Sequence, residues 1–99
     1  MLEIRFAEDV EADLRSVRIY YRNQILDSIQ EQLEREPGVA TKNRKPLENL
    51  IPPWQAVMPI WELRVGQYRV FYDISFEDSI VYVRAIRRKP PGTKTEDIL

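Results

Sequence analysis

The sequence predicts an α+β fold, an antiparallel β-sheet carrying helix on its apolar face, and three observations carry that prediction. The segment Trp61–Ile74, WELRVGQYRVFYDI, alternates apolar and polar residues on either side of Gly66-Gln67. Apolar residues at helical spacing fill the stretch from Val10 to Leu33, and a β-rich run, IVYVRAI, occupies Ile80–Ile86.

The hairpin is the most specific of the three. Period-two alternation marks two half-buried strands, and glycine at the first central position suits a two-residue type II′ turn. That turn sets the register: Val65 opposite Tyr68, Arg64 opposite Arg69, Leu63 opposite Val70, Trp61 opposite Tyr72. One face is then apolar and the other sets two arginines against each other. A like-charged cross-strand pair costs roughly 0.2–1 kcal/mol. Either Glu62 and Asp73 on the same face neutralise it, or it awaits an anion such as phosphate.

The remaining elements follow in order. Leu2, Ile4 and Phe6 alternate with Glu3 and Arg5, a short first strand over 2–6. Val10, Leu14, Val17, Tyr21, Ile25, Ile29 and Leu33 then recur at steps of three and four, one apolar stripe of a helix packed on the sheet. Glu8, Asp9, Glu11 and Asp13 crowd its first turns, where the helix dipole favours acids, and Pro37-Gly38 stops it. The stretch is long for one globular helix, and a break near Tyr21–Asn23 would turn it into a helical hairpin. Residues 39–60 hold four prolines and no clean period, a loop of the length that is usually functional. Strands over 61–65, 68–74 and 80–87 complete the sheet. The last is apolar on both faces apart from Arg84, as an interior strand is. Pro90-Pro91 end its pairing, and GTKTEDIL reads as a loosely held tail.

Bulk properties narrow the function. The 99 residues suit one domain, 1–99, with 43% hydrophobic and 31% charged residues, an ordinary globular balance. The sequence shows no signal peptide and no apolar run near the roughly 18 residues of a membrane span, so a cytoplasmic protein without membrane contact is expected. Cysteine and histidine are absent. That removes disulfides, thiol nucleophiles and the usual zinc ligands, and neither metal nor cofactor is expected. Residues 1–37 carry 9 acidic against 5 basic side chains, and residues 38–99 carry 7 against 10. The second half therefore offers a face for nucleic acid, although a pI near 5.5 argues against strong non-specific binding.

The basic residues form three groups: Lys42, Arg44 and Lys45 before the hairpin, Arg64 and Arg69 upon it, and Arg87, Arg88 and Lys89 ending the last strand. With helix on the apolar face, all three can converge on the open one. Phe71 and Tyr82 there would supply aromatic surface for an unpaired base. Such a surface suits a phosphodiester ligand.

These features resemble the RelE/ParE superfamily, the toxins of bacterial and archaeal toxin–antitoxin pairs. The likeness covers most of the chain: the first strand, the helical stretch, NRKPL at Asn43–Leu47, and ELRVGQYRVFYDI followed by IVYVRAI. It implies a small RelE-like domain, a curved antiparallel sheet with two N-terminal helices on one face. It also implies a cognate antitoxin covering the cationic face. RelE-like and YoeB-like members cleave messenger RNA in the ribosomal decoding site, whereas ParE-like members act on DNA gyrase.

By that resemblance Arg69 matches the arginine that stabilises the scissile phosphate, and Arg64 a further cationic position. Lys45 stands where YoeB-like enzymes have a base glutamate, Glu62 where RelE has a lysine. Lys89 falls near an arginine or histidine of the family's last strand. The family's catalytic tyrosine beyond that strand has no counterpart in PPGTKTEDIL. Cutting RNA through its 2′-hydroxyl needs a base, an acid for the leaving 5′-oxygen, and cations around the phosphorane. The arginines meet the last need. A lysine base at Lys45 or Lys89 requires a pKa well below its reference of about 10.4. Glu62 is either the alternative base or the counter-ion that tolerates Arg64 opposite Arg69. Lys42, Arg44, Phe71, Arg87 and Arg88 are then RNA contacts. A ribosome-dependent endonuclease, a ParE-like or catalytically degenerate member that binds antitoxin and a protein target such as gyrase without cleaving RNA, and a non-toxin nucleic-acid-binding domain on the same fold all remain open at this point.

Overall fold

In the computed structural model, which describes residues 1–99, five strands form one mixed, open sheet. The strands are β1 (Glu3–Phe6), β2 (Arg44–Leu47), β3 (Ile60–Val65), β4 (Tyr68–Ser75) and β5 (Ile80–Arg88), in the order β1-β5-β4-β3-β2. The predicted hairpin register is observed pair for pair: Val65 with Tyr68, Arg64 with Arg69, Leu63 with Val70, Trp61 with Tyr72. Gly66 has φ +58, and Gln67 keeps a negative φ. That is the type II′ pattern, since type I′ needs both positive.

The sheet holds two features that alternation does not reveal. β1 pairs with β5 in parallel, Glu3 opposite Ile80 through Phe6 opposite Val83, so β5 is interior as expected. The proline-rich segment contributes an edge strand, β2, antiparallel to β3. Its Pro46 is tolerated because the strand lies on the edge.

The helical stretch divides into α1 (Val10–Arg15) and α2 (Ile19–Leu33). The break falls at Ser16–Arg18, several residues before Tyr21–Asn23. Arg22 explains the position. From the first turn of α2 its guanidinium donates to Leu14 O at 2.9 Å and Val17 O at 3.0 Å. A cation is thereby placed at the negative end of α1, on carbonyls of its last turn and of the link to α2. Val10, Val17, Ile25, Ile29 and Leu33 are buried against Leu63, Val70, Tyr72, Val81, Val83 and Ile86. Trp61 and Tyr72 stack within this core at 6.1 Å. The Tyr72 hydroxyl donates to Pro37 O at 2.7 Å, and burial pushes its phenol well above the ordinary tyrosine value.

The tail is not loose throughout. Thr95–Ile98 form a helical turn, α3, closed by Lys94 N donating to Asp97 Oδ2 at 3.1 Å.

Replacing Arg22 with Ala should remove its hydrogen bonds to Leu14 O and Val17 O and cost about 1.5–3 kcal/mol, as for hydrogen bonds to charged groups. Urea unfolding monitored by circular dichroism measures it. A change near zero would show that the α1–α2 break does not depend on this cap.

Candidate functional site

Strand alternation puts Lys45 on β2, Glu62 and Arg64 on β3, and Arg69 on β4 on the sheet face away from α2, since their neighbours Leu63 and Val70 lie in the core. The end of β5 brings Arg87 to the same face because of a bulge. Phe71 pairs with Ala85 and Tyr72 with Val83, so Arg84 is an extra residue. One extra residue inverts the alternation downstream. Val81, Val83 and Ile86 can then all enter the core, while Arg87 lies opposite Arg69.

Lys42, Lys45, Arg64, Arg69 and Lys89 come together with Glu62 in one cleft of about 160 Å³ that no apolar side chain lines. Glu62 is its centre. The carboxylate is 6% exposed; Oε1 accepts from the Thr95 hydroxyl at 2.9 Å and lies 3.6 Å from Arg69 Nε, and Oε2 lies 3.7 Å from Lys45 Nζ. A carboxylate this buried is stable only when paired. Two cations and a hydroxyl surround it, as they would a counter-ion.

Arg69 is held on several sides. Its Nη1 donates to Gly66 O at 2.9 Å and Tyr68 O at 2.8 Å, while Nε faces Glu62. Burial lowers its pKa from the ordinary arginine value; Glu62 opposes that shift and Arg64 adds to it. The side chain is 11% exposed, so Arg69 belongs to the wall of the cleft. Arg64 is exposed, and its backbone N–H donates to Asn43 O at 2.8 Å, fixing the segment before β2. Lys89 donates its backbone N–H to Gln67 O at 2.7 Å, which anchors the strand end beside the turn.

Three of the expected RNA contacts do not present their side chains to the cleft. Arg44 borders the cleft, but it lies opposite Leu63 and its side chain turns to the helix side, where the residue is 8% exposed and donates to Gln32 O. Phe71 is on the expected face but fully buried, with the Trp54 ring 5.8 Å away. No base can stack there. Arg88 pairs with Tyr68, on the helix side, and donates to Gln67 Oε1 at 3.2 Å. Arg87 reaches the open face, but its Nη1 lies 2.9 Å from Asp13 Oδ2 and its guanidinium 5.8 Å from the Trp54 ring.

Sequence reasoning missed Trp54, Thr95 and Asp13. A tryptophan beside Pro52-Pro53 signals a packed loop rather than a solvated one. Thr95 carries no signal of its own. Asp13 reads as a dipole-favouring acid, yet its Oδ2 also accepts from Ile86 N at 3.0 Å, satisfying the edge of β5 where β1 has ended. Farther along the open face Asp73, fully buried, binds Arg84 in a bidentate pair at 2.7 and 3.1 Å, and Arg84 lies 4.4 Å from the Tyr82 ring centroid.

This α+β domain, with a cationic cleft built around a Gly-turned arginine hairpin, matches one protein family over most of its length. The family model for the ParE toxin of type II toxin-antitoxin system, parDE, matches residues 4–89. The chain belongs to that family, within the RelE/ParE superfamily, and is a toxin of a type II toxin–antitoxin system. Its fold is similar to the archaeal RelE–RelB complex from Pyrococcus horikoshii, at 22% identity and TM-score 0.70, covering 94% of this chain and 98% of that one. It is similar too to the toxin–antitoxin complex RelBE2 from Mycobacterium tuberculosis, at 21% identity and TM-score 0.69 over 89% of this chain and 98% of that one. The isolated RelE toxin of Escherichia coli gives 15% identity and TM-score 0.66, covering 98% and 93%. No curated protein matches the sequence.

Glu62→Gln should keep an acceptor for Thr95 while removing the charge that holds Arg69 and Lys45. The melting temperature should fall in chloride and recover in phosphate by more than the wild type gains, because an anion replaces the lost carboxylate. Equal gains from phosphate in both proteins would remove Glu62 from the electrostatics of the cleft.

Proposed function

We propose that this toxin is a ribosome-dependent messenger RNA endonuclease that a cognate antitoxin neutralises by covering the cleft. The observation that carries the reading is the gathering of five cationic side chains around one buried carboxylate in a cleft without apolar lining. That chemistry fits an anionic ligand such as a phosphodiester.

In the proposed reaction the 2′-oxygen attacks phosphorus and the bond to the 5′-oxygen breaks, leaving a 2′,3′-cyclic phosphate and a 5′-hydroxyl. Arg69 has Nη2 free of the contacts that hold Nη1 and Nε, so this edge is the one available to a phosphate oxygen. Arg64 approaches from the neighbouring strand. Lys45 and Lys89 stand at the two sides of the cleft, one on β2 and one at the end of β5, with β3 and β4 between. In-line displacement wants its base and its acid on opposite sides of the phosphorus. The 2′-proton leaves on the side of one lysine, and the other lysine stands where the departing 5′-oxygen takes up a proton. Glu62 keeps the array together.

A second reading has its own support. The matching family model is that of the ParE toxin, and the cleft contains neither histidine nor tyrosine. A member of that kind would bind antitoxin and inhibit a protein such as gyrase without cutting RNA.

Expression without antitoxin should arrest growth, with messenger RNA cut only while ribosomes translate it. Arg64→Ala should lower cleavage by about 10²–10³, the scale for one charge-stabilising donor, with urea stability unchanged because the side chain is exposed. Arg69→Ala is the poorer test, since it also strips Glu62 of a partner. Arrest with DNA damage and intact RNA would establish the second reading instead.

The antitoxin should be disordered alone and present acidic and apolar residues to the cleft. Co-expression with the adjacent gene product should yield a complex whose affinity falls with salt. Two proteins that purify apart at low ionic strength would overturn the partnership.

A further inference from the structure

A groove of about 570 Å³ lies on the helix side of the hairpin tip, between the start of α2 and the ends of β3, β4 and β5. Arg18, Tyr21, Gln24, Gln67, Tyr68 and Arg88 line it, and no acidic residue does. Arg18 is the N-cap of α2, exposed and without a side-chain cap bond. Arg88 is exposed, and its one side-chain partner is the neutral Gln67. Neither arginine is in an ion pair. The Tyr21 ring, 43% exposed, sits 5.9 Å from the Tyr68 ring at 42°. Two unneutralised guanidinium groups beside an accessible tyrosine pair are the parts that bind single-stranded nucleic acid, cations for phosphates and rings for bases.

The groove is joined to the cleft. Arg88 and Lys89 are consecutive, and β5 alternation sends the first to the groove and the second to the cleft. Between them lies the tip, Gly66-Gln67, which lines the groove and also a shallower channel of about 230 Å³ with Arg64, Arg69 and Lys89. That channel has no acidic lining either. Gly66 presents no side chain there, and a Cβ in its place would meet nothing within 4 Å. A cationic path therefore runs from Lys42 and Lys45, past Arg64, Arg69 and Lys89, around the tip to Arg88 and Arg18.

We propose that the groove is a second RNA subsite. It receives the single-stranded segment flanking the one held in the cleft, placing a base against Tyr21 and Tyr68 and phosphates against Arg18 and Arg88. The proposal rests on the RNA reading of the cleft given above.

Fluorescence anisotropy with 2′-O-methyl RNA, which cannot be cut because its nucleophile is blocked, tests it on the full chain freed of antitoxin. Two lengths are compared, about 3 nucleotides to occupy the cleft and about 10 to reach the groove as well. The double variant Arg18→Gln/Arg88→Gln should weaken the longer oligonucleotide on the order of tenfold. It should also reduce its salt slope by about 1.4, two single-strand phosphate contacts, and leave the shorter one unchanged. Tyr21→Leu, which keeps the apolar contact with Tyr68, should weaken the longer one by about tenfold without changing the slope. Arg64→Ala should weaken both lengths. If the groove variants bind the longer RNA as the wild type does while Arg64→Ala still weakens both, the second subsite is wrong and the cleft reading stands. If Arg64→Ala affects neither length, the cleft reading fails first and takes this one with it. Groove variants that fold, keep RNA affinity and lose antitoxin would make the groove a protein-docking site, which also overturns the proposal.

Discussion

The buried carboxylate of Glu62 is the interaction on which this site depends. An antiparallel hairpin with arginines directly opposed is unfavourable by itself, and the turn at Gly66 fixes the pair in register. Glu62 lies diagonal to Arg69 across the hairpin and draws its Nε inward, while Gly66 O and Tyr68 O take Nη1. Arg64 is left exposed, so the opposed pair separates into one held and one free guanidinium. The same carboxylate reaches Lys45 on β2 and Thr95 on α3. Elements from distant parts of the chain thus meet on one anion. Its single charge is outnumbered by the cations around it, and the cleft stays positive.

The second constraint is the bulge at Arg84. Without it, strict alternation along β5 would put Val83 and Ile86 on opposite faces and turn Arg87 toward the helices. With it, both apolar residues enter the core and Arg87 reaches the open face beside Arg69. Asp73 secures the extra residue through the bidentate pair with Arg84. Such a pair is worth little where water can replace it. Here Asp73 is fully buried, so loss of the arginine would strand a charge.

What the sequence revealed follows the range of the interactions involved. The hairpin register was legible because a two-residue turn and a period of two leave one solution, and Trp61 does stack on Tyr72. Lys42, Lys45, Arg64, Arg69, Lys89 and Glu62 were legible as a set because they flank that hairpin, and the structure gathers them. The break between α1 and α2 was placed late because it is decided by Arg22 reaching backward across the gap, and no Gly or Pro marks it. Arg44 was assigned to the open face by its neighbours Lys42 and Lys45. In an edge strand adjacent residues face opposite ways, and β2 was hidden within a proline-rich loop. Phe71 was given the right face and the wrong exposure, since alternation says nothing of a loop folding back to set Trp54 against it.

That covering decides what the cleft can recognise. Trp54 occupies the aromatic surface beside Phe71, Thr95 closes over Glu62, and Arg84 lies across Tyr82. The exposed part of the face is thereby restricted to the cationic end near the hairpin tip. No apolar or aromatic side chain lines the cleft itself. Cations read the phosphate backbone, which fixes register and carries no sequence information. A substrate choice finer than charge must come from outside the cleft. In the proposed reaction the ribosome could supply it by presenting one strand in one frame, and the Tyr21–Tyr68 groove offers the nearest exposed aromatic pair at which a base could be distinguished.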